Sequence, residues 1–313
     1  MKQLAIFGGS GFVGRHVIRR LAKEGAVIRV PARDPDKALF LKPAGDVGQI
    51  VPFHCNPRSD ASVASAIGNS GAVINLIGII AEQGRTTFQS VHVEMAARIA
   101  RLAREQGATH FIQMSALLAD AHGTSSYARS KAAGEDAVRA FFPEATILRP
   151  SLIFGPEDHF FNQFAAMARY MPALPLIGGG MTKFQPVYVG DIAHAIAEIL
   201  YRPEAMGRIY ELGGPEVYSF RELLELMLRE TGRRRGFINV PWNIAELKAA
   251  VLGLLPNPPL TRDQVAMLKT DSVIADKTAL TLHNLGIAPT ALEMILPTYL
   301  DRFRAGGRLG AAA

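Results

Sequence analysis

Two side chains that can move a proton, Tyr127 and Lys131, stand four residues apart in the segment SSYARSKAAGE. Residues with this spacing share one face of a helix, so the lysine ammonium would lower the pKa of the phenol. A phenol tuned in this way can give a proton to a carbonyl oxygen, or take one from it, as a hydride moves. The same spacing also occurs by chance as an ordinary surface pair, so its meaning depends on the other motifs of the chain.

A glycine-rich turn, GGSGFVG, spans Gly8 to Gly14 and follows the β-rich run QLAIF. The spacing of Gly8, Gly11 and Gly14 permits a tight turn and the close approach of a dinucleotide pyrophosphate, which would face the N-terminus of the next helix. The alternative is an ordinary glycine-rich loop. The position of the motif between the first strand and the first helix favours the dinucleotide site.

The end of the second strand, in VIRVPARDP, discriminates between two cofactors. An arginine at this position, roughly twenty residues after the glycine turn, can pair with a ribose 2′-phosphate, whereas a carboxylate would accept from a 2′-hydroxyl. Arg33 therefore predicts NADP(H), and Asp34 leaves NAD(H) as the alternative. Arg15 is either a second positive group at this site or a solvated surface charge.

These candidates need a fold that brings them to one edge of a sheet. Short β-rich runs alternate with helical patterns through the first half of the chain: QLAIF, AVIRVPAR, QIVPFHC, AVINLIG, HFIQMS and ATILRP. This alternation predicts an α/β fold with a doubly wound parallel sheet of the Rossmann type. We expect an NAD(P)-binding domain over residues 1–155, with residues 185–215 returning to it. A smaller, interleaved domain would occupy residues 156–313.

Composition excludes several classes of protein. The chain has 313 residues, of which 49% are hydrophobic, and a single cysteine, Cys55, which rules out an internal disulfide framework. It shows neither a secretory signal nor an apolar run of about eighteen residues, so we predict a cytoplasmic protein, or one at the inner face of a membrane. The net charge of +6 favours anionic partners of any kind. The histidines lack ligand spacing, so we expect no metal site.

The motifs GGSGFVG, NLIG, YARSK, RPSLIFGP, QPVYVGDIA and YELGGPE occur in this order, and the chain resembles an atypical, extended short-chain dehydrogenase/reductase over at least residues 1–216. More narrowly, LKPAGDVGQI, FGPEDHFFNQFA and TRDQVAMLKTD resemble the NADPH-binding accessory subunits of respiratory complex I and their bacterial relatives. That narrower resemblance covers nearly the whole chain.

The resemblance implies roles for particular residues. It implies that the pyrophosphate contacts Gly8, Ser10, Gly11, Phe12 and Val13, that Arg33 meets the 2′-phosphate, and that Asn56 lies against the adenine. It further implies that Leu76, Ile77 and Gly78 line the ribose, and that Tyr127, Lys131 and Pro150 lie at the nicotinamide half.

Two departures from the family put turnover in doubt, although they leave cofactor binding untouched. In MSALL only Ser115 follows the fifth strand, where extended relatives have a run of serines, so Ser115 is the remaining candidate for a second catalytic hydroxyl. The hydroxyls of TSS, residues 124–126, are either substitutes for it or a turn and helix cap. His92 stands where many relatives have an asparagine.

The stretch GRRRGFINVPWNIAELKAAVLGLLPNPPL combines a basic cluster, residues 233–235, with an apolar helical pattern that continues to Leu255. It can lie on an anionic membrane surface as a peripheral anchor, or pack as a lid over the second domain. The aromatic residues of FFNQFAAMARY either line an apolar substrate pocket or pack in a core. No aromatic-basic platform suggests nucleic acid.

Two functions follow from these features. The first is an NADPH-dependent oxidoreductase acting on an apolar carbonyl or quinone-like compound, with Tyr127 as the acid/base group. The second is a non-catalytic, NADPH-stabilised accessory or assembly protein of respiratory complex I at the membrane. The retained Tyr127 and Lys131 favour the first function, and the missing serine run favours the second.

Overall fold

A computed structural model describes residues 3–253, 258, 260–305 and 307 of the chain. The chain divides into two compact units. The first consists of Met1–Pro150, Gly190–Leu212 and Thr278–Ile287, and the second of Ser151–Val189, Gly213–Lys277 and Ala288–Ala313. All residues that the sequence analysis assigns to the cofactor fall in the first unit.

The strands are β1 (Gln3–Phe7), β2 (Val27–Ala32), β3 (Ile50–His54), β4 (Ala72–Asn75), β5 (His110–Met114), β6 (Thr146–Pro150), β7 (Ile153–Phe154), β8 (Ala173–Ile177), β9 (Lys183–Phe184), β10 (Val187–Tyr188), β11 (Ile209–Leu212), β12 (Tyr218–Ser219) and β13 (Gly236–Val240). The α-helices are α1 (Phe12–Ala22), α2 (Asp60–Ile67), α3 (Ala96–Glu105), α4 (Ser126–Phe141), α5 (Phe160–Tyr170), α6 (Val189–Leu200), α7 (Phe220–Glu230), α8 (Trp242–Leu252), α9 (Arg262–Met267) and α10 (Leu292–Leu300). A π-helical turn, Gln89–Met95, leads directly into α3.

The first unit is built on a parallel sheet with the strand order β11-β6-β5-β4-β1-β2-β3. Every neighbouring pair runs parallel. The chain adds β2 and β3 on one side of β1 and then continues with β4 on the other, so the strand order reverses at β1. This topology confirms the predicted doubly wound α/β fold, and it places a ligand crevice at the carboxyl ends of β1 and its neighbours.

The strands of this sheet are apolar because they are covered on both faces. Residues 72–75 of β4 are all buried, and those from Leu4 to Phe7 in β1 are at most 1% exposed. Helix α1 packs its buried residues Val17, Ile18 and Leu21 into this core. The turn that follows α1 needs Gly25, whose φ of +80° lies in the left-handed region.

The described part of the second unit pairs β7 with β10, β8 with β13, and β9 with β12. Its core is formed by aromatic and aliphatic side chains, among them Phe154, Phe161, Leu223, Met227 and Leu296. Phe160, Phe164 and Met167 of α5 pack against this core. Of the two alternatives for FFNQFAAMARY, the structure shows the packing one.

The apolar pattern that follows Arg235 forms helix α8, and the two faces of this helix differ in exposure. Ala249 is 1% exposed and packs in a small cluster with Val265. On the opposite face Ile244, Leu247 and Val251 are 44%, 68% and 62% exposed. Leu255, the last apolar residue of the predicted pattern, lies outside the described residues.

The three arginines that precede α8 are not equivalent. Arg233 Nε donates to the Phe303 carbonyl and Arg235 Nε to the Ala168 carbonyl, each over 2.8 Å. Arg234 is exposed. Two of the three guanidinium groups therefore tie segments of the second unit together. Among the helices that the structure describes, none combines the length and the apolar character needed to cross a bilayer.

Candidate functional site

The glycine-rich turn joins β1 to α1 and has no room for side chains at two of its positions. A Cβ at Gly14 would lie 2.4 Å from the Gly8 carbonyl oxygen. Gly8 itself has a φ of +78°, and a Cβ there would lie 3.0 Å from the backbone of Leu76. The turn is therefore packed directly against the start of α1 and the loop after β4.

Gly11 is exposed and leaves the start of α1 accessible. Its N–H donates to the Gly8 carbonyl over 3.0 Å, and Phe12 and Val13 follow in the first helical turn, both half-buried. That turn reads FVGR and so contains no carboxylate. A glycine cradle at a helix N-terminus without negative charge fits the pyrophosphate of a dinucleotide.

Arg15 closes the turn on its outer side. Its Nη2 donates to the Ser10 carbonyl over 3.2 Å, and its guanidinium carbon lies 5.0 Å from the centroid of the Phe40 ring. Arg15 is thus held between the glycine turn and the segment after β2, and is not a fully solvated charge.

An exposed arginine stands at the end of β2. Arg33 directly follows this strand and is exposed. The neighbouring carboxylate of Asp34 lies 3.3 Å from Lys37 Nζ, so a cation already offsets its charge. The Arg33 guanidinium could bind a 2′-phosphate, although Asp36 adds a second carboxylate to this segment.

The ends of β3 and β4 carry the next two predicted contacts. Asn56 is exposed, and its Oδ1 accepts the Arg58 N–H over 3.1 Å, which closes a local turn.

After β4, the Leu76 N–H donates to the Phe7 carbonyl over 2.9 Å. Asn75 Oδ1 accepts the Ile77 N–H over 3.2 Å, so the loop that continues to the exposed Gly78 is tied to β1 and to its own strand.

Tyr127 and Lys131 lie in the first turns of α4. Ser125 caps this helix, because its Oγ accepts the Ala128 N–H over 3.0 Å, so this hydroxyl of TSS acts as a cap. Lys131 Nζ is buried and donates to the Met114 carbonyl at the end of β5 over 2.9 Å.

The pKa values of this pair differ from the prediction. Burial lowers the pKa of Lys131 to about 8, against the opposing attraction of Glu135. Burial also raises the pKa of Tyr127 to about 12. The predicted lowering of the phenol pKa by Lys131 is therefore wrong for this structure. Desolvation causes the shift of the phenol, and the Lys131 ammonium is bound to the Met114 carbonyl.

Ser115 follows β5 and is buried in an ionic network. Its Oγ donates to the Glu135 carboxylate, which also accepts from Arg149 Nε and Nη2 at 2.9 and 2.7 Å. A serine has one hydroxyl proton, so this bond competes directly with donation to a substrate carbonyl. Pro150, the next residue after Arg149, is buried, and its carbonyl accepts the Leu117 N–H over 3.0 Å.

All of these residues lie at the carboxyl ends of strands of one parallel sheet or on the helices that follow. Sequence reasoning identified the strand ends but missed the partners Phe88, Ser130 and Glu135, which contact Tyr127, His92 and Ser115 respectively. Glu135 stands four residues after Lys131, so its position on the same face of α4 was a signal that could have been used.

Comparison with known proteins agrees with this geometry. The NAD-dependent epimerase/dehydratase family matches residues 4–213. The chain is 38% identical over 317 residues to the mitochondrial NADH dehydrogenase (ubiquinone) 1 alpha subcomplex subunit 9 of Arabidopsis thaliana, covering 96% of this chain and 78% of that protein. It is 33% identical over 246 residues to the ceramide reductase of Caulobacter vibrioides, covering 76% of this chain and 73% of that protein.

A solved structure shows the same fold. The UDP-glucose 4-epimerase of Thermus thermophilus, solved in complex with NAD, superposes with a TM-score of 0.71. The superposition covers 96% of this chain and 98% of that chain at 18% identity. At this identity the likeness concerns the fold alone.

Proposed function

The chain belongs to the NAD-dependent epimerase/dehydratase family, and on that premise we propose that it binds NADP(H) as an accessory or assembly subunit of a respiratory NADH dehydrogenase. The observation that carries this proposal is the 38% identity to the Arabidopsis subunit over 96% of the chain. The family match ends at residue 213. A shared cofactor fold would not require similarity beyond that point, so the similarity of the remaining chain supports a shared role.

In this proposal the chain holds the cofactor with groups from several strand ends. The N–H groups at the start of α1, approached over Gly11, donate to the pyrophosphate, and Arg33 pairs with the 2′-phosphate. The loop from Leu76 to Gly78 lines the ribose, while Tyr127 and Lys131 lie at the nicotinamide half. When bound, NADPH supplies a hydride to an acceptor that is placed against its nicotinamide ring.

The groups around Tyr127 support a binding role over turnover. A phenol with a pKa of about 12 transfers its proton poorly near neutral pH. The Ser115 hydroxyl donates to Glu135. In the accessory role, purified protein with bound NADPH should show a constant nicotinamide absorbance when short-chain quinones or long-chain ketones are added. Steady oxidation of NADPH would contradict a non-catalytic role.

A second candidate function is the NADPH-dependent reduction of an apolar carbonyl or quinone-like compound. Two observations favour it: Tyr127 and Lys131 are retained on one helix, and the chain is 33% identical to a ceramide reductase. In this function Tyr127 would donate the proton that the carbonyl oxygen gains, and Lys131 would supply the positive charge that makes the transfer possible.

The preference for NADP(H) is tested at Arg33. The native protein should bind NADPH more tightly than NADH, and Arg33→Ala should remove about 1.5 to 3 kcal/mol of that preference, the usual worth of a hydrogen bond to a charged group. Arg19→Ala, which removes an exposed cation from the other end of α1, is the matched control and should change neither affinity. Equal affinity of the native protein for both nucleotides would refute the assignment.

We further propose that the protein is peripheral to a membrane, at its inner face. The support for this location is the exposed apolar face of α8, where Leu247 and Val251 are 68% and 62% exposed. Lys248 lies beside this face and is also exposed, so it can attract anionic headgroups.

A further inference from the structure

A buried histidine lies between the loop after β4 and helix α4, and neither proposed function accounts for it. His92 belongs to the π-helical turn and is 3% exposed. Its Nε2 accepts the Ile79 N–H over 3.1 Å, and its Nδ1 lies 2.9 Å from Ser130 Oγ. One imidazole thus connects the loop that the proposed cofactor site places at the ribose with the helix that it places at the nicotinamide half.

These hydrogen bonds determine which nitrogen carries the proton. An imidazole nitrogen that accepts from a backbone N–H bears no proton, so the proton of neutral His92 is on Nδ1. Nδ1 then donates to Ser130 Oγ, and the Ser130 hydroxyl donates to the Tyr127 carbonyl over 2.8 Å. A continuous chain of bonds therefore runs from the Ile79 N–H to the backbone of α4.

The imidazole ring also contacts the phenol itself. Phe88 stacks on His92 with ring centroids 5.4 Å apart and an angle of 23°. Tyr127 meets the imidazole edge-on, with centroids 5.5 Å apart and an angle of 88°. Burial and the nearby charge of Lys131 lower the pKa of His92 to about 3, so the ring stays neutral beside that ammonium near neutral pH.

The backbone around His92 leaves little freedom for an alternative arrangement. A Cβ at Gly134 of α4 would lie 2.2 Å from the His92 carbonyl oxygen, so the π-helical turn and α4 are in direct backbone contact. On the opposite side, a Cβ at Gly78 would lie 3.8 Å from His92 Nε2. The ring therefore fills the space between α4 and the loop after β4.

We infer that His92 is a positioning residue that fixes the loop after β4 against α4 and thereby shapes the nicotinamide half of the cofactor site. The inference rests on the proposed NADP(H) binding. The bond from Ile79 to Nε2 holds the loop that contains Ile77 and Gly78. The adenosine half depends instead on Arg33 and Asn56, at the ends of β2 and β3.

Two substitutions of His92 test its bonds to Ile79 and to Ser130 one at a time. The amide of Asn reaches the position of Nδ1, whereas the amide of Gln reaches that of Nε2, so His92→Gln keeps an acceptor for Ile79 and His92→Asn loses it. Losing that acceptor leaves a partly buried N–H without its partner. We expect His92→Asn to weaken NADPH binding about tenfold and His92→Gln to stay within about threefold of the native protein.

Calorimetric titration with NADPH and with 2′,5′-ADP, which carries only the adenosine half, measures these effects. Affinity for 2′,5′-ADP should fall less than affinity for NADPH in His92→Asn, because this ligand lacks the nicotinamide half that α4 meets in the proposed site. Equal NADPH affinities of the two variants, or equal losses for both ligands, would overturn the inference. Native protein that binds neither ligand would instead refute the proposed NADP(H) binding, and with it the inference.

A measurement on the native chain keeps the inference testable if either variant fails to fold. Nitrogen-15 spectra of the histidine side chains should show His92 with a protonated Nδ1 and an unprotonated Nε2 near neutral pH. A proton on Nε2 would break the bond to Ile79 on which the inference depends, and would contradict it.

Discussion

At the end of β5, the buried ammonium of Lys131 donates to the Met114 carbonyl, and burial lowers its pKa from the ordinary value of 10.5 to about 8. A desolvated cation destabilises a folded chain unless a partner offsets the cost. Glu135 offsets part of it, but the pKa remains depressed. Folding therefore does not explain the lysine, whereas the contact with the cofactor that we propose would explain it.

The first residue-scale prediction is that Lys131→Met raises the free energy of unfolding at pH 7. The folded pKa of the lysine lies below the unfolded one, so the folded chain binds fewer protons between about pH 8 and 10.5, and native stability rises with pH there. At roughly 1.4 kcal/mol per pKa unit, the advantage of the methionine variant is at most about 3 kcal/mol below pH 8 and shrinks above it.

Urea unfolding of both proteins at pH 7 and at pH 10 measures this difference. A methionine variant that is less stable at pH 7, or a difference that does not change with pH, would contradict the cost that we assign to the buried ammonium. Titration of the same variant with NADPH should show weaker binding.

A second residue-scale prediction separates the two candidate hydroxyls. If the protein reduces a carbonyl, Tyr127→Phe should abolish hydride transfer and leave NADPH affinity nearly intact, because only the proton donor is removed. Ser115→Ala should change the rate little, because the Ser115 hydroxyl donates to Glu135. Single-turnover oxidation of bound NADPH measures the rates of the two variants. A Ser115→Ala variant as slow as Tyr127→Phe would show that the Ser115 hydroxyl is also needed for catalysis.

At the scale of elements, α8 is the helix whose role its sequence pattern left open. Its buried face carries small residues, Ala245 and Ala249, and its large apolar residues Leu247 and Val251 are exposed. A lid packed on the second unit would bury those larger side chains instead. The exposed face therefore supports the membrane-surface alternative of the two that the sequence allowed.

The element-scale prediction is that native protein co-sediments with anionic vesicles but not with neutral ones. Binding should weaken as salt shortens the Debye length from about 10 Å towards 3 Å. Leu247→Ser with Val251→Ser should reduce sedimentation without lowering the melting temperature, because both side chains are exposed. Val47→Ser, at another exposed apolar residue, is the control and should have no effect. Native protein that ignores anionic vesicles would contradict the membrane location.

The elements of the first unit could be predicted because their signals are local. Alternating apolar runs and helical patterns indicated β1 to β6, and GGSGFVG indicated the turn between β1 and α1. The side-chain partners could not be predicted, because His92 and Ser130, or Ser115 and Glu135, are brought together only when α4 packs on the sheet. The pKa of the Tyr127 phenol is raised where the sequence predicted that it is lowered, for the same reason. The spacing of two residues shows a nearby charge, but it does not show how deeply a side chain is buried.

At the scale of the whole molecule, the family match and the similarity to the respiratory subunit cover different lengths of the chain. The family match ends at residue 213, whereas the similarity to the respiratory subunit covers 96% of the chain. The family match thus accounts for the cofactor-binding fold, whereas the similarity to the respiratory subunit also extends beyond residue 213. The proposed role therefore depends on what the intact chain binds in its own cell.

Purification of the tagged full chain from its native membranes tests the proposed role most directly, with both the bound nucleotide and the co-eluting proteins recorded. We predict stoichiometric NADP(H) and the co-elution of subunits of a respiratory NADH dehydrogenase, together with NADH:quinone oxidoreductase activity in the eluate. A chain that elutes without those subunits and oxidises NADPH with an added carbonyl or quinone would contradict the accessory role.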